Sequence, residues 1–120
     1  MWFSDEQLAY LKGQPLGRLA TVDAHGQPQN NPVGFFLNEE LQTIDIGGRQ
    51  MGESKKFRNV KCGSRAAFVV DDLASVNPWR PRMLEVRGWA EALDDIDPPR
   101  RGMSREIIRV HPERVIAFGL

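Results

Sequence analysis

The chain has 120 residues, with sixteen basic and sixteen acidic side chains and a formal net charge of zero. This length fits a single domain, 1–120, that buries about two thirds of its unfolded surface. The balanced charge gives no reason to expect a nucleic acid or a membrane surface as a partner. The single cysteine, Cys62, excludes an intrachain disulfide, and no apolar run is long enough to span a bilayer. No secretory signal pattern follows Met1, so we predict a cytoplasmic protein.

The first half of the chain predicts one short helix and three strands. Ser4 is a typical N-cap residue, and the helix that it begins ends at 13–15, where glycine and proline occur. The predicted strands are Leu16 to Val22, Pro28 to Leu37 and Leu41 to Ile46.

Polar side chains interrupt two of these apolar strands. Gln29, Asn31 and Asp45 must each find a hydrogen-bond partner, or lose about 1–3 kcal/mol by desolvation. A flat heterocycle with alternating donors and acceptors would satisfy them, and so would water on an exposed face of the sheet. Pro32 marks a bulge, an edge or a ligand contact, because it removes a ladder donor.

The stretch from Gly47 to Val60 is the strongest candidate for a binding site. It reads Gly-Gly-Arg-Gln-Met-Gly-Glu-Ser-Lys-Lys-Phe-Arg-Asn-Val, so a glycine-rich loop leads from a strand into a basic helix, Ser54 to about Lys61. Unpaired N–H groups, the helix dipole and nearby cations together favour phosphate. We therefore predict an anion site. A strand-to-helix turn with a solvated basic face would give the same pattern, and no known phosphate-loop motif is present.

The second half predicts further strands around a loop. Proline and tryptophan at 74–82 are typical of a functional loop, where Trp79 and Arg82 could bind an anionic ligand together with Arg87. Alternatively, the tryptophan packs against the end of the barrel and the arginines are exposed on the surface, with no role in binding. The predicted strands are Ala66 to Val70, Leu84 to Leu93, Glu106 to Val110 and Val115 to Leu120. Six or seven short strands and two short helices indicate an antiparallel β-barrel with peripheral helices.

No catalytic or metal-binding group is recognisable. His25 and His111 have no partner at metal-ligand spacing, and Cys62 has no motif that would make it a nucleophile. We therefore assign no catalytic side chain and no metal.

Several segments together resemble the pyridoxamine 5'-phosphate oxidase-like family of split β-barrels. They are Leu16-Gly-Arg-Leu-Ala-Thr-Val, Gly26-Gln-Pro-Gln, Asn31-Pro-Val, Ile44-Asp-Ile-Gly-Gly and Ser54-Lys-Lys-Phe-Arg-Asn-Val. Later segments look like the actinobacterial branch of the family that uses the deazaflavin coenzyme F420. These are Pro78-Trp-Arg-Pro-Arg, Glu85-Val-Arg-Gly-Trp-Ala-Glu and Ile108-Arg-Val-His-Pro-Glu-Arg-Val.

The resemblance implies a mainly β fold, a six-stranded antiparallel split β-barrel with short peripheral helices. It also implies a homodimer with the cofactor at the subunit interface. The implied activity is that of an F420-dependent oxidoreductase, which transfers a hydride between the cofactor and a small unsaturated organic substrate. FMN, which shares the ribityl phosphate, is the alternative cofactor. A non-catalytic flavin- or deazaflavin-binding protein is the alternative function.

The resemblance also implies cofactor-binding residues on the helix and on one strand. Lys56 and Asn59 match the residues at the helix start near the cofactor phosphate, and Ser54 and Lys55 adjoin them. The strand that borders the ring system is matched by Gln29, Asn31, Pro32 and Val33.

Further binding residues come from the glycine-rich loop and from later in the chain. Gly47 and Gly48 belong to the predicted anion site, and Trp79 matches an aromatic residue at which the second subunit approaches the cofactor. The arginines that suit the carboxylates of a deazaflavin tail are Arg49, Arg82 and Arg87.

Overall fold

The computed structural model describes residues 1–120 and consists mainly of antiparallel strands. The helices are α1 (Asp5–Lys12) and α2 (Lys55–Lys61), and a turn of 3-10 helix, Met51–Glu53, precedes α2. The strands are β1 (Gly17–Val22), β2 (Pro28–Val33), β3 (Phe36–Asn38), β4 (Thr43–Ile46), β5 (Arg65–Ser75), β6 (Arg80–Leu93) and β7 (Ile107–Phe118). The predicted mainly β class with short peripheral helices is confirmed.

All seven strands form one sheet in the order β2-β1-β5-β6-β7-β4-β3. The two edge strands, β2 and β3, are joined by only Gly34 and Phe35. Two linking residues span at most about 11 Å between Cα atoms, so the two edges of the sheet must approach each other. The sheet therefore curls into a barrel that stays split between β2 and β3, which form no ladder. The split-barrel prediction is confirmed, with seven strands instead of six.

The sequence predicts one continuous strand from Pro28 to Leu37, and this prediction is wrong. The strand breaks at Gly34, because the two halves pair with different partners: β2 lies against β1, and β3 lies against β4 at the other edge of the sheet. This break creates the split in the barrel.

The strands β5 and β6 are longer than the sequence predicts and form a hairpin through a short turn at 76–79. Asp71 and Asp72, which follow the predicted strand end at Val70, lie within β5, and each pairs with an arginine. Arg18 binds Asp71 from β1, and Arg82 Nε donates to Asp72 Oδ1 at 2.9 Å from β6. The predicted functional loop at 74–82 is shorter than expected: residues 76–79 form a turn, whereas residues 74–75 and 80–82 belong to the two strands.

The two predicted closing strands are one strand, β7, which passes through a bulge at Pro112–Arg114. Gly88 on β6 faces this bulge, where an added Cβ would lie only 1.8 Å from the His111 carbonyl oxygen. The close approach explains why glycine occurs there, and the bulge explains why the strand pattern is interrupted.

The hydrophobic core fills the interior of the barrel. Its fully buried side chains come from the three long strands β5, β6 and β7 and from β4, among them Ile44, Ile46, Phe68, Val70, Leu84, Val86, Ile108 and Val110. Helix α1 packs Tyr10 and Leu11 against the core, and α2 packs Phe57 and Val60. None of the helices has the length and apolar character that crossing a membrane requires.

Candidate functional site

The anion loop, which we define as residues 47–54, connects the end of β4 to the start of α2. Ser54 is the N-cap of α2: its hydroxyl accepts a hydrogen bond from the Phe57 N–H at 3.2 Å and donates to the Met51 carbonyl at 2.7 Å. Both of these contacts are local, and serine at an N-cap predicts the first of them. Ser54 therefore fixes where the helix begins.

A cavity of about 290 Å³ opens between the anion loop and the end of β2. We call it the loop cavity. It contains seven of the fourteen cofactor contacts predicted from the sequence. Its lining residues are Pro32, Val33, Gly34, Gly47, Gly48, Arg49, Gln50, Met51, Ser54 and Lys56.

Two cations line the loop cavity without an ion-pair partner. Neither Arg49 nor Lys56 forms a salt bridge, whereas the neighbouring Lys55 pairs with Asp23 at 3.5 Å. Arg49 is exposed and Lys56 is partly buried. The loop cavity is therefore locally positive in a chain whose net charge is zero.

A hydrogen-bond network joins α2 to β1 and β2. Asn59 Nδ2 donates to Thr21 Oγ1 at 3.1 Å and to Gln29 Oε1 at 3.4 Å, and Gln29 Nε2 donates to Asn31 Oδ1 at 2.8 Å. These side chains satisfy one another, so neither water nor a heterocycle is needed for that purpose. Because Asn59 is buried, the network fixes α2 against the strand that borders the loop cavity.

Asp45, the third polar residue on these strands, belongs to a structural ion pair. Its carboxylate oxygens accept hydrogen bonds from Arg109 Nε and Nη2, each at 3.0 Å, and Thr43 Oγ1 donates at 2.9 Å. The hydrogen bond to Asp45 raises the pKa of Arg109, so this guanidinium stays charged.

The other seven predicted contacts do not line the loop cavity: Gln29, Asn31, Lys55 and Asn59, described above, and Trp79, Arg82 and Arg87. Trp79 lies in the turn between β5 and β6 and is 66% exposed. Arg82 binds Asp72, and this hydrogen-bonded pairing lowers the pKa of Asp72 to about 2. Arg87 forms a bidentate pair with Glu85, with both N–O distances 3.0 Å.

Sequence reasoning missed some residues of the site. Gly34, Gln50 and Met51 line the loop cavity but were not among the predicted contacts. Gln50 and Met51 lie inside the glycine-rich stretch, and Gly34 directly follows Asn31-Pro-Val. Ser104 and Glu106 lie behind the anion loop and accept hydrogen bonds from its backbone. Their position follows from the pairing of β4 with β7, a long-range contact for which the sequence carries no local signal.

A larger groove, of about 540 Å³, lies on the outer face of the sheet. Ala20 and Ala67 form part of its wall, and Arg65, Arg87 and Arg114 line it as well. Arg65 is paired with Glu113, and Arg87 is the only predicted cofactor contact in this groove. The groove therefore does not assemble the predicted site, although it is the larger of the two.

Comparison with known proteins gives one family match and one relative of high identity. The family described as pyridoxamine 5'-phosphate oxidase matches residues 3–118. The 5a,11a-dehydrotetracycline/5a,11a-dehydrooxytetracycline reductase of Streptomyces rimosus is 46% identical over 121 residues, which cover 100% of this chain and 85% of the reductase.

Solved structures share the fold at lower identity. A conserved hypothetical protein from Mycobacterium tuberculosis has a TM-score of 0.75 and 17% identity, and the match covers 98% of this chain and 85% of that one. The FAD binding protein from Mycobacterium smegmatis has a TM-score of 0.70 and 19% identity, with 97% and 94% covered. From the match over residues 3–118, together with the split barrel, the chain belongs to the pyridoxamine 5'-phosphate oxidase family.

Proposed function

We propose that this protein is an F420-dependent oxidoreductase that transfers a hydride between the deazaflavin and a small unsaturated organic substrate. One observation carries the proposal: Arg49 and Lys56, neither of them in an ion pair, line one cavity with the end of β2. Two free cations beside a glycine-rich backbone suit a phosphate group. The loop cavity therefore fits the phosphorylated part of such a cofactor.

The chain's own residues would bind and orient the cofactor. Lys56 and Arg49 would hold the phosphate, and Pro32 and Val33 would border the ring system. When bound, the deazaflavin supplies hydride transfer at its C5 carbon. No histidine lines the loop cavity: His25 lies in an exposed turn, and His111 is stacked on Trp89 with ring centroids 3.9 Å apart. The proposal accordingly assigns no proton donor to the protein.

The Streptomyces rimosus relative supports a reductase. Its identity to this chain, 46%, extends over the whole chain. The substrates in its name are dehydro compounds, which agrees with a small unsaturated organic substrate. Its name does not specify a cofactor, so the choice between F420 and FMN depends on other evidence.

FMN is the second candidate cofactor, and two observations favour it. Arg82 and Arg87, which suit the carboxylates of a deazaflavin tail, already pair with Asp72 and Glu85. The structural neighbour from Mycobacterium smegmatis is described as an FAD binding protein, and FAD is likewise a flavin. Both candidates place a phosphate in the loop cavity and differ in the rest of the molecule.

The test is to titrate the purified protein with F420 and with FMN and to follow cofactor fluorescence. The proposal predicts micromolar binding of F420 and weaker binding of FMN. The reverse order would make FMN the cofactor. The reduced cofactor complex is then mixed with a panel of enones, quinones and dehydrotetracyclines. Turnover with at least one class supports an enzyme, whereas no turnover with any would favour a non-catalytic binding protein.

We also propose that the protein acts as a homodimer with the cofactor at the subunit interface. Support comes from exposed apolar side chains on one region of the sheet, with Leu73 41%, Trp79 66% and Phe118 60% exposed. In this arrangement Trp79 reaches the partner's cofactor. Sedimentation analysis should give twice the mass of the chain, and Trp79→Ala should weaken cofactor binding. A monomer that binds the cofactor fully would contradict this arrangement.

A further inference from the structure

We infer that Ser104 and Glu106 are positioning residues for the anion loop, holding its backbone in the conformation that receives the cofactor phosphate. The inference rests on the proposed function for the identity of the ligand. Neither residue lines the loop cavity, so each would act through the backbone that it binds.

The topology brings these two residues behind the loop. Strand β4 pairs with β7 in antiparallel register, with Ile46 opposite Ile108. The chain leaving the end of β4 therefore runs beside the chain entering the start of β7. Residues 47–52 come directly after β4, and residues 104–106 come directly before β7.

Four hydrogen bonds join the two segments. Ser104 binds the loop in both directions: its Oγ accepts from the Met51 N–H at 3.0 Å, and its own N–H and hydroxyl lie 2.8 and 3.2 Å from the Gly48 carbonyl oxygen. Glu106 Oε1 accepts from the Gly52 N–H at 3.1 Å. The N–H groups of Met51 and Gly52 are thus directed away from any ligand, toward Ser104 and Glu106.

The glycines of the loop permit this close contact. A Cβ added at Gly52 would lie 2.7 Å from Glu106 Oε1, and one added at Gly47 would lie 3.1 Å from Met103 Sδ. Arg49 and Gln50 line the loop cavity, and their backbone N–H groups form no hydrogen bond within the chain. Ser104 and Glu106 therefore bind the back of the loop and leave these two donors free.

Two substitutions of Glu106 distinguish its positioning of the loop from the electrostatic effect of its charge on phosphate binding. A carboxylate close to an anion site opposes phosphate binding, while its hydrogen bond to Gly52 supports the loop. Glu106→Gln keeps an oxygen acceptor and removes the charge, so it should bind phosphate at least as well as the unsubstituted protein. Glu106→Ala removes the acceptor and should weaken binding.

The experiment compares Ser104→Ala, Glu106→Ala and Glu106→Gln with the unsubstituted protein. Each is titrated with FMN and with riboflavin, which lacks the phosphate, and amide hydrogen exchange is measured at Met51 and Gly52. Ser104→Ala removes two side-chain hydrogen bonds to the loop and Glu106→Ala removes one. Each should weaken FMN binding by about tenfold or more and leave riboflavin binding unchanged. Exchange at residues 51–52 should accelerate in the protein without cofactor. Ser64→Ala is the matched control, because Ser64 Oγ accepts from the Val22 N–H at 2.8 Å in a different loop.

Two results would overturn the inference: unchanged exchange at 51–52 in Ser104→Ala, or equal losses of FMN and riboflavin affinity. The second would mean that the two residues support the fold in general. Failure of the proposed function looks different, because the unsubstituted protein would then bind neither F420 nor FMN. In that case the hydrogen-exchange measurement alone decides whether Ser104 and Glu106 stabilise the conformation of the loop.

Discussion

Removal of the positive charge at Lys56 should weaken cofactor binding and leave the fold intact. Lys56 lies in the first turn of α2, lines the loop cavity and forms no salt bridge. A charge-assisted hydrogen bond to phosphate contributes about 1.5–3 kcal/mol. Lys56→Ala should therefore lower cofactor affinity by about 10- to 100-fold. Because no partner inside the protein is lost and alanine favours helix, the unfolding midpoint should not fall.

The assay is a fluorescence titration of F420 and FMN at low and at high salt. Lys61→Ala is the matched control, since Lys61 lies at the end of the same helix, is exposed and does not line the loop cavity. The unsubstituted protein should lose more affinity on addition of salt than Lys56→Ala, because exposed charges are screened. Unchanged affinity in Lys56→Ala, or an equal loss in Lys61→Ala, would refute the assignment of the anion site.

Three further predictions concern the cavity, the core and pH. Gly34→Leu should weaken cofactor binding in titrations, because Gly34 lines the loop cavity and a leucine there would occupy part of it. Urea unfolding should show little change in stability, since an added Cβ meets no atom within 4 Å. Phe68→Ala should lower the free energy of unfolding by about 3–5 kcal/mol in urea titrations, because the ring is fully buried. Burial and the hydrogen bond to Asp72 raise the pKa of Tyr10 from 10.0 to about 12, so the unfolded chain loses this proton first. Stability should accordingly fall as the pH rises from about 10 to about 12, and urea midpoints should show a smaller fall in Tyr10→Phe.

Local sequence signals predicted the parts of the fold that depend on neighbouring residues. Ser4 and Ser54 mark the starts of both helices, because a serine hydroxyl satisfies a backbone N–H three residues later. The pattern of a glycine-rich loop before a basic helix likewise indicated the region in which Arg49 and Lys56, two cations without ion-pair partners, line one cavity. These features need only residues close together in the chain.

Long-range pairing explains the strand boundaries that were predicted wrongly. Asp72 would end an isolated strand, but the cross-strand Arg82 holds its carboxylate inside the hairpin. The break at Gly34 is set by two different neighbouring strands, β1 and β4. No pattern within residues 28–37 contains that information.

The same distinction applies to the candidate site. Lys56 was predicted because it matches the helix start of the family, and Arg49 because it suits an anionic tail; both lie in the segment with the basic pattern. Ser104 and Glu106 were missed because they reach the loop only through the pairing of β4 with β7. Arg82 and Arg87 have the right chemistry for an anionic tail, but the structure gives them carboxylate partners on their own hairpin.

A crystal structure of the protein with bound F420 tests the central claim most directly. The claim predicts that the cofactor phosphate lies in the loop cavity, within hydrogen-bond distance of Lys56 Nζ, with the ring system beside Pro32 and Val33. A phosphate bound instead in the outer groove, against Arg87 and Arg114, would contradict it.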